Sequence, residues 1–460
     1  MYGDSVPVLI FVALVVSVIG SLGAPLITAV AETYDVQLVS AQWTLTLPLL
    51  VAAVLTPVLG RLGSGPHRRP TVLAALGAVV AGGVLTVLPL PFVFLLIGRG
   101  IQGVGLGLPA LMMAIARDHL PPARATSTVA LLSVTATAGI GVGYPLAGLL
   151  TDVGGVRLAY GLGLVAAVAA LATAWWRIPP SPVGRSAEVD GVGAMLLGLA
   201  LLVLLFLISQ SAIWRSRPWL AAAGLAASAV LFTVWARYER RRPNPLVDLR
   251  LMRHPAVMGA NLFWILGGAG VYLLHTMVTR FVQTPATAGY GFAATTFAAG
   301  LVLVPFSATG FLAVQFAPWL QRRIRPVLLL GGGSVMTASG FALFATERGH
   351  LALTATTTAV AGFGFGIMSA AMPAMILAET PPAETSVAMA ANQVIRSIGL
   401  ASGSALCGLV LAAATPVGGA YPSDAGYTAG AWLGVGLMLA SLGLALAVAH
   451  RTRPALPSAA

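Results

Sequence analysis

The chain has 460 residues, 58% hydrophobic and only 8% charged, with a mean hydropathy of +0.92. That composition excludes an ordinary soluble globular domain and indicates a polytopic membrane protein. The formal charge of +12 does not indicate nucleic acid, because the basic residues, all arginine, sit in short loops between apolar runs. The single cysteine, Cys407, lies within an apolar run and excludes an intrachain disulfide.

A membrane-crossing helix needs about 20 apolar residues. The first run starts at Val6, is too long for a signal-peptide core and reads as a retained span. Fourteen spans are expected, near 8–30, 43–60, 71–89, 92–116, 126–151, 157–176, 191–209, 218–236, 257–279, 295–318, 326–345, 351–378, 387–414 and 427–449. The prolines of LPLP at 88–91 argue for a turn between the third and fourth.

Arginine placement orients this arrangement. With both termini cytoplasmic, eighteen arginines fall in inner segments, and five (Arg157, Arg215, Arg217, Arg280 and Arg348) in outer ones. The reverse orientation would invert that ratio, so the positive-inside rule places both ends and the loop 237–255 in the cytoplasm.

Two arginines, Arg99 and Arg396, remain inside spans. A guanidinium stays charged at any working pH and costs at least about 2.5–3.5 kcal/mol in hydrocarbon, so it normally faces a bundle interior or a wet cavity. Small-xxx-small glycine pairs, which let helix backbones touch in a membrane, surround Arg99: Gly103 with Gly107, and Gly139 with Gly143. Pro145 and Gly148 weaken the helix beyond. The pattern recurs about 259 residues later: Gly362, Gly364 and Gly366, a Pro-Pro loop at 381–382, then Gly399 and Gly403. Such a parallel repeat puts a substrate site between two halves near the midplane. The expected organisation is residues 1–180 as a six-helix half, 181–255 as two inserted helices with a basic loop, and 256–460 as a second six-helix half with a short tail.

At this point the chain resembles the fourteen-span drug:proton antiporter branch of the major facilitator superfamily. LLIGRGIQGVGLG (95–107) is similar to its fourth-helix motif, and GIGVGYPLAGLLTD (139–152) to its fifth-helix antiporter motif, with Tyr144 where glycine is more usual. QWTLTLPLL (42–50), ERRRPNPLVDLRL (239–251) and NQVIRSIG (392–399) also resemble this branch. The resemblance implies an all-α major facilitator fold, fourteen helices arranged 6+2+6, and efflux of drug-like or secondary-metabolite solutes from the cell through the plasma membrane. GRLGSGPHRR (60–69) is similar to the gating-loop motif, and Gly60, Ser64 and Arg68 take its positions. Ser64 replaces the acidic residue of that motif and cannot form its ion pair. Val16 stands where many relatives carry an aspartate.

None of the 13 acidic residues falls deep in a span. Arg99 can bias a neighbour's protonation or hold a solute but cannot carry a proton itself. Glu32, Asp152 and His275 are the candidate proton carriers; for His275, near the outer end of its span, an interfacial packing role is the alternative. Arg99, Gln102, Asn261, Asn392, Gln393 and Arg396 are the candidate lining residues. Each has a plainer reading: Arg99 and Arg396 as braces, Asn261 and Gln393 as interhelical hydrogen-bonding groups. Apolar binding area is expected from Trp264, Phe263 and Met112.

An enzyme would need a nucleophile with its base or a metal-ligand cluster such as HExxH, and neither pattern is present. No cofactor or metal is expected. With positive charge at depth and no carboxylate, the cavity favours neutral, zwitterionic or weakly anionic amphiphiles. Protons and the lipid bilayer are the other expected partners. A proton-independent exchanger or facilitator, or a membrane receptor that binds such solutes without moving them, remains open.

Overall fold

Within a bilayer each apolar run must satisfy its own backbone, and a helix does this locally. The computed structural model describes residues 6–63, 67–178, 190–209, 211–243, 255–379, 385–416 and 418–451, with 245 and 249. In chain order the helices are α1 (Val6–Ser21), α2 (Ile27–Tyr34), α3 (Leu38–Ala41), α4 (Trp43–Leu62), α5 (Arg68–Val87), α6 (Phe92–Gln102), α7 (Leu108–His119) and α8 (Pro122–Arg177). They continue as α9 (Gly191–Ser209), α10 (Ser211–Ser216), α11 (Pro218–Arg241), α12 (Pro255–Gln283), α13 (Thr296–Gln321), α14 (Pro326–Thr346), α15 (Leu351–Glu379), α16 (Thr385–Ala413) and α17 (Asp424–Arg451). A 3-10 turn at Gly103–Gly107 joins α6 to α7.

Among the described residues, twelve helices are long and apolar enough to span a membrane, two fewer than the sequence led us to expect. The difference has two sources. The first expected span breaks at residues 22–26, leaving α1 only 16 residues long. The expected fifth and sixth spans both lie within the 56-residue α8, one on either side of a non-helical break. Its helical path is interrupted at Gly154 and Gly155, and the φ of 74° at Gly155 lies where only glycine is unstrained.

Close backbone approach organises the packing. A Cβ on Gly139 would lie 2.8 Å from Ser17 Cβ, and one on Gly143 would strike Ser21 Oγ, so α8 runs alongside α1. Gly399 and Gly403 press in the same way on the α12 backbone, at Trp264, Ile265 and Ala269. Gly103 and Gly107 meet α4 at Pro48 and Thr56; Gly362 and Gly366 meet α13 at Phe306 and Gly310. The repeated glycine spacing thus closes equivalent helix pairs in both parts of the chain.

These registers fix direction. α8 rises beside α1, so its Gly154–Gly155 break marks the end of the bundle far from Val6, here called the distal end. There Gly148 abuts Thr296 and Phe297, and lower down a Cβ on Gly141 would lie 2.7 Å from Ser307 Cβ, so α13 descends against α8. α9 and α11 pack on each other, with Ser228 donating to the Ala200 carbonyl at 3.1 Å. The apolar window of α11 is only 17% buried, which leaves this pair at the periphery.

Candidate functional site

Arg99 is 1% exposed near the end of α6. Two backbone breaks supply its acceptors. Pro48 has no N–H for the Thr44 carbonyl one turn back, and Arg99 Nε donates to that oxygen at 3.1 Å. Where α1 gives way to the 22–26 turn, Arg99 Nη1 donates to the Ile19 carbonyl at 3.2 Å and to Gln102 Oε1 at 2.8 Å. The guanidinium lies 5.5 Å from the Tyr160 ring centroid. It therefore ties α1, α4 and α6 together, as a brace would, while Nη2 is buried without a hydrogen-bond partner.

Arg396, half-buried on α16, lies 5.3 Å from the Trp264 ring centroid, and its Nε is buried without a hydrogen-bond partner. Tyr272 sits within electrostatic reach of both Arg99 and Arg396. From Trp264 an aromatic chain runs through Phe365 at 5.7 Å, Phe306 at 5.5 Å and His275 at 4.2 Å. His275 then meets Tyr272 of α12 at 5.8 Å and Tyr144 of α8 at 5.9 Å. His275 is 3% exposed, its Nδ1 2.9 Å from the Val271 carbonyl. The ring lies in an aromatic seam joining the two parts of the chain.

Other expected positions sort differently. Asn392 Nδ2 donates to Asn261 Oδ1 at 2.9 Å between α16 and α12, matching the interhelical reading. The Gln393 side chain and all of Ser64 lie outside the described residues. Met112 and Phe263 are buried in packed apolar clusters, and Trp264 is covered by Arg396 and Phe365. Gly60 faces open space, whereas Arg68 Nε donates to the Gly63 carbonyl at 2.9 Å and staples the α4–α5 turn. Glu32 is exposed on α2. Asp152 is also exposed, and its two oxygens accept from the Thr296 and Phe297 N–H groups at 3.1 and 3.0 Å. Arg280, counted above with the outer-loop arginines, is instead buried within α12 at 4% exposure.

The hydrogen bonds described between the 1–180 and 256–460 parts gather toward the distal end. Besides the Asp152 pair, Thr28 Oγ1 donates to Gln283 Oε1 at 2.9 Å and Gln283 Nε2 to the Pro25 carbonyl at 3.0 Å. Gln42 Nε2 donates to Ser404 Oγ at 2.9 Å, and Thr46 Oγ1 lies 2.8 Å from the same hydroxyl. Pro145 meets the α13 backbone at Gly300, where a Cβ would fall 2.8 Å from Pro145 Cα. Sequence reasoning missed Tyr160, Tyr272, Gln42, Ser404, Gln283 and Gly300. Gln42 stood in a quoted motif without a role; the others carry no local pattern that marks a cross-chain contact.

The chain is similar to the multidrug resistance protein B homolog of Mycobacterium tuberculosis strain H37Rv, 24% identical over 396 residues, covering 84% of this chain and 71% of that one. It is also similar to the methylenomycin A resistance protein of Streptomyces coelicolor, 24% identical over 408 residues, covering 86% and 82%. Among solved structures, the POT family transporter PepTSo superposes with a TM-score of 0.68 at 14% identity, covering 97% of this chain and 98% of that one. The human organic anion transporter MFSD10 superposes at 0.62 with 16% identity, covering 96% and 99%. The sequence profile of the Major Facilitator Superfamily matches residues 9–404. With that match across most of its length and a fold shared with solved transporters, this membrane-embedded chain belongs to the Major Facilitator Superfamily.

Proposed function

We propose that this transporter exports drug-like or secondary-metabolite solutes by alternating access, moving neutral, zwitterionic or weakly acidic amphiphiles past Arg99 and Arg396. The observation that carries the reading is the clustering of cross-chain hydrogen bonds at the distal end. Polar contacts that, among the described residues, join the two parts at the distal end, in a bundle built from repeated helix pairs, suit a rocking motion about a midplane site. With the termini cytoplasmic, the distal end is the outer one and the described state is sealed outward. The fourteen-span 6+2+6 reading is supported by counting the short apolar α1 as a span and dividing α8 at Gly154–Gly155. The resistance names of two relatives support efflux.

Proton coupling belongs to the same proposal. Asp152 is the best placed carrier, because its carboxylate accepts two N–H groups across the seam and a protonated carboxyl accepts them less well. Purified protein in proteoliposomes, loaded in turn with neutral and weakly acidic antibiotics, tests the reading. Protein-dependent flux that accelerates under an imposed pH gradient is expected. Flux indifferent to the gradient would favour the facilitator, and saturable binding without flux would favour the receptor.

A further inference from the structure

We propose that the cavity around Arg280 is a binding site for one small inorganic monovalent anion of the halide class, complete only while the distal end is closed. Arg280 is 4% exposed, and its Nε and Nη1 are buried without hydrogen-bond partners. The Cys407 thiol lies against the guanidinium, but no described carboxylate pairs with it. The nearby Asp424 is committed elsewhere: its Oδ1 and Oδ2 accept from Arg348 at 3.0 and 2.7 Å. A buried cation with unused donors is costly, and a buried counter-charge relieves that cost.

Arg280 lines a cavity with Thr28, Leu38, Gln283, Tyr421 and Tyr427. It leaves about 10 Å³ for the centre of a water-sized body, enough for one such occupant. That space excludes a drug-sized anion and suits a halide. Three neighbouring donors are already used: Thr28 Oγ1 donates to Gln283, Gln283 Nε2 to the Pro25 carbonyl, and Thr284 Oγ1 to the Arg280 carbonyl at 2.8 Å. The guanidinium N–H groups, with the Tyr421 and Tyr427 hydroxyls on the same lining, are what remains to hold an ion.

Thr28 and Leu38 come from the first part of the chain, Arg280 and Gln283 from the second, and two of the distal seam bonds run through Gln283. Separating the parts would open the cavity. An anion held only in the closed state stabilises that state by linkage. Binding stands on the cavity alone; its effect on transport rests on the alternating-access reading.

The test uses the purified full chain in detergent, with sodium chloride exchanged for sodium gluconate at constant ionic strength. Thermal unfolding should show a saturable rise in Tm with chloride, reproduced by bromide and absent with gluconate. Arg280→Gln should lose this dependence, and Leu38→Phe, which fills the cavity and leaves the guanidinium, should weaken it. Arg157→Gln, changing an exposed distal arginine, should keep it. No saturable chloride effect in the unaltered protein, or the same effect in Leu38→Phe and Arg280→Gln, would mean that the cavity holds only water and would overturn the site. In proteoliposomes, chloride on the distal side should slow turnover of the unaltered protein and not of Leu38→Phe. A chloride-dependent Tm without any change in turnover would leave the site standing and remove its link to transport.

Discussion

Asp152 at the distal end of α8 caps the start of α13: its carboxylate takes the backbone N–H of Thr296 at 3.1 Å and, through its second oxygen, that of Phe297 at 3.0 Å. The first turn of a helix has N–H groups with no partner of their own, and an acid there also meets the positive end of the helix dipole. Here the cap comes from the other part of the chain, so it joins the two across the seam. Thr295 supplies the local cap by accepting from the Ala298 N–H at 3.3 Å.

Asp152→Ala is expected to weaken closure by about 1 kcal/mol, the usual worth of an N-terminal cap, and so to raise the open population roughly fivefold. A cysteine at Ser307, buried in the seam beside Gly141, in a chain lacking Cys407, provides the readout. Its labelling rate should rise with Asp152→Ala and, to a smaller but measurable extent, with Asp152→Asn, which like the protonated carboxyl is neutral and keeps one acceptor oxygen. Unchanged labelling in Asp152→Ala would remove the latch.

Arg99 invites a paired test. Arg99→Ala strands the Thr44 carbonyl, because Pro48 offers it no N–H. An unsatisfied buried acceptor costs about 1–3 kcal/mol, so Arg99→Ala should lower stability and stop transport. Adding Pro48→Ala restores an N–H for that carbonyl and should recover part of the stability. If flux recovers together with stability, Arg99 is a brace only; if stability returns and flux does not, the free Nη2 serves the transported solute. Arg99→Lys should also fail, since one ammonium cannot reach Thr44, Ile19 and Gln102 in the fixed fork geometry.

The sequence made part of this site legible and hid the rest, for physical reasons. Arg99 stood out because a lone charge among apolar residues is costly wherever it lies, and the glycine pairs announced close helix contacts through spacing alone. Gly143 and Gly403 indeed press on α1 and α12 at equivalent places. Long apolar runs fixed helix identity, but not the non-helical backbone at Gly154 and Gly155 that divides α8, nor that α1 would stop at Ser21. What stayed hidden depends on tertiary neighbours. Arg280 reads as a loop charge until α12 is seen to carry it inward, and Gln42 and Ser404, 362 positions apart, share no local signature. Gly60, a motif glycine, has no neighbour close to it.

Topology offers an independent check on the span count. Reporter fusions after Ala236 and at the C-terminus should both report the cytoplasm, and one inserted at Gly154–Gly155 should report the outside. A cytoplasmic signal at Gly154–Gly155 would mean that α8 does not turn back there, and the fourteen-span reading would fall.

The proposed preference in substrate charge rests on the buried Arg99 and the half-buried Arg396 both being positive. A permanent cation held beside Arg99 and Arg396 would meet like charge in a low dielectric without a carboxylate to offset it. Cells expressing the protein should therefore export neutral and weakly acidic antibiotics in preference to ethidium. Strong ethidium efflux dependent on this chain would show that a carboxylate at a helix end, Asp152 or Glu32, reaches the solute.

Alternating access itself is tested most directly by fixing the distal seam. Thr46 Oγ1 and Ser404 Oγ lie 2.8 Å apart, so cysteines at these positions bring two sulfurs close enough to bond after a small adjustment. In a chain lacking Cys407, Thr46→Cys with Ser404→Cys should transport when reduced, stop when oxidised, and recover on reduction, while either single change stays insensitive to oxidant. Full flux through the cross-linked protein would contradict the account, because the seam would then not need to open for solute to pass.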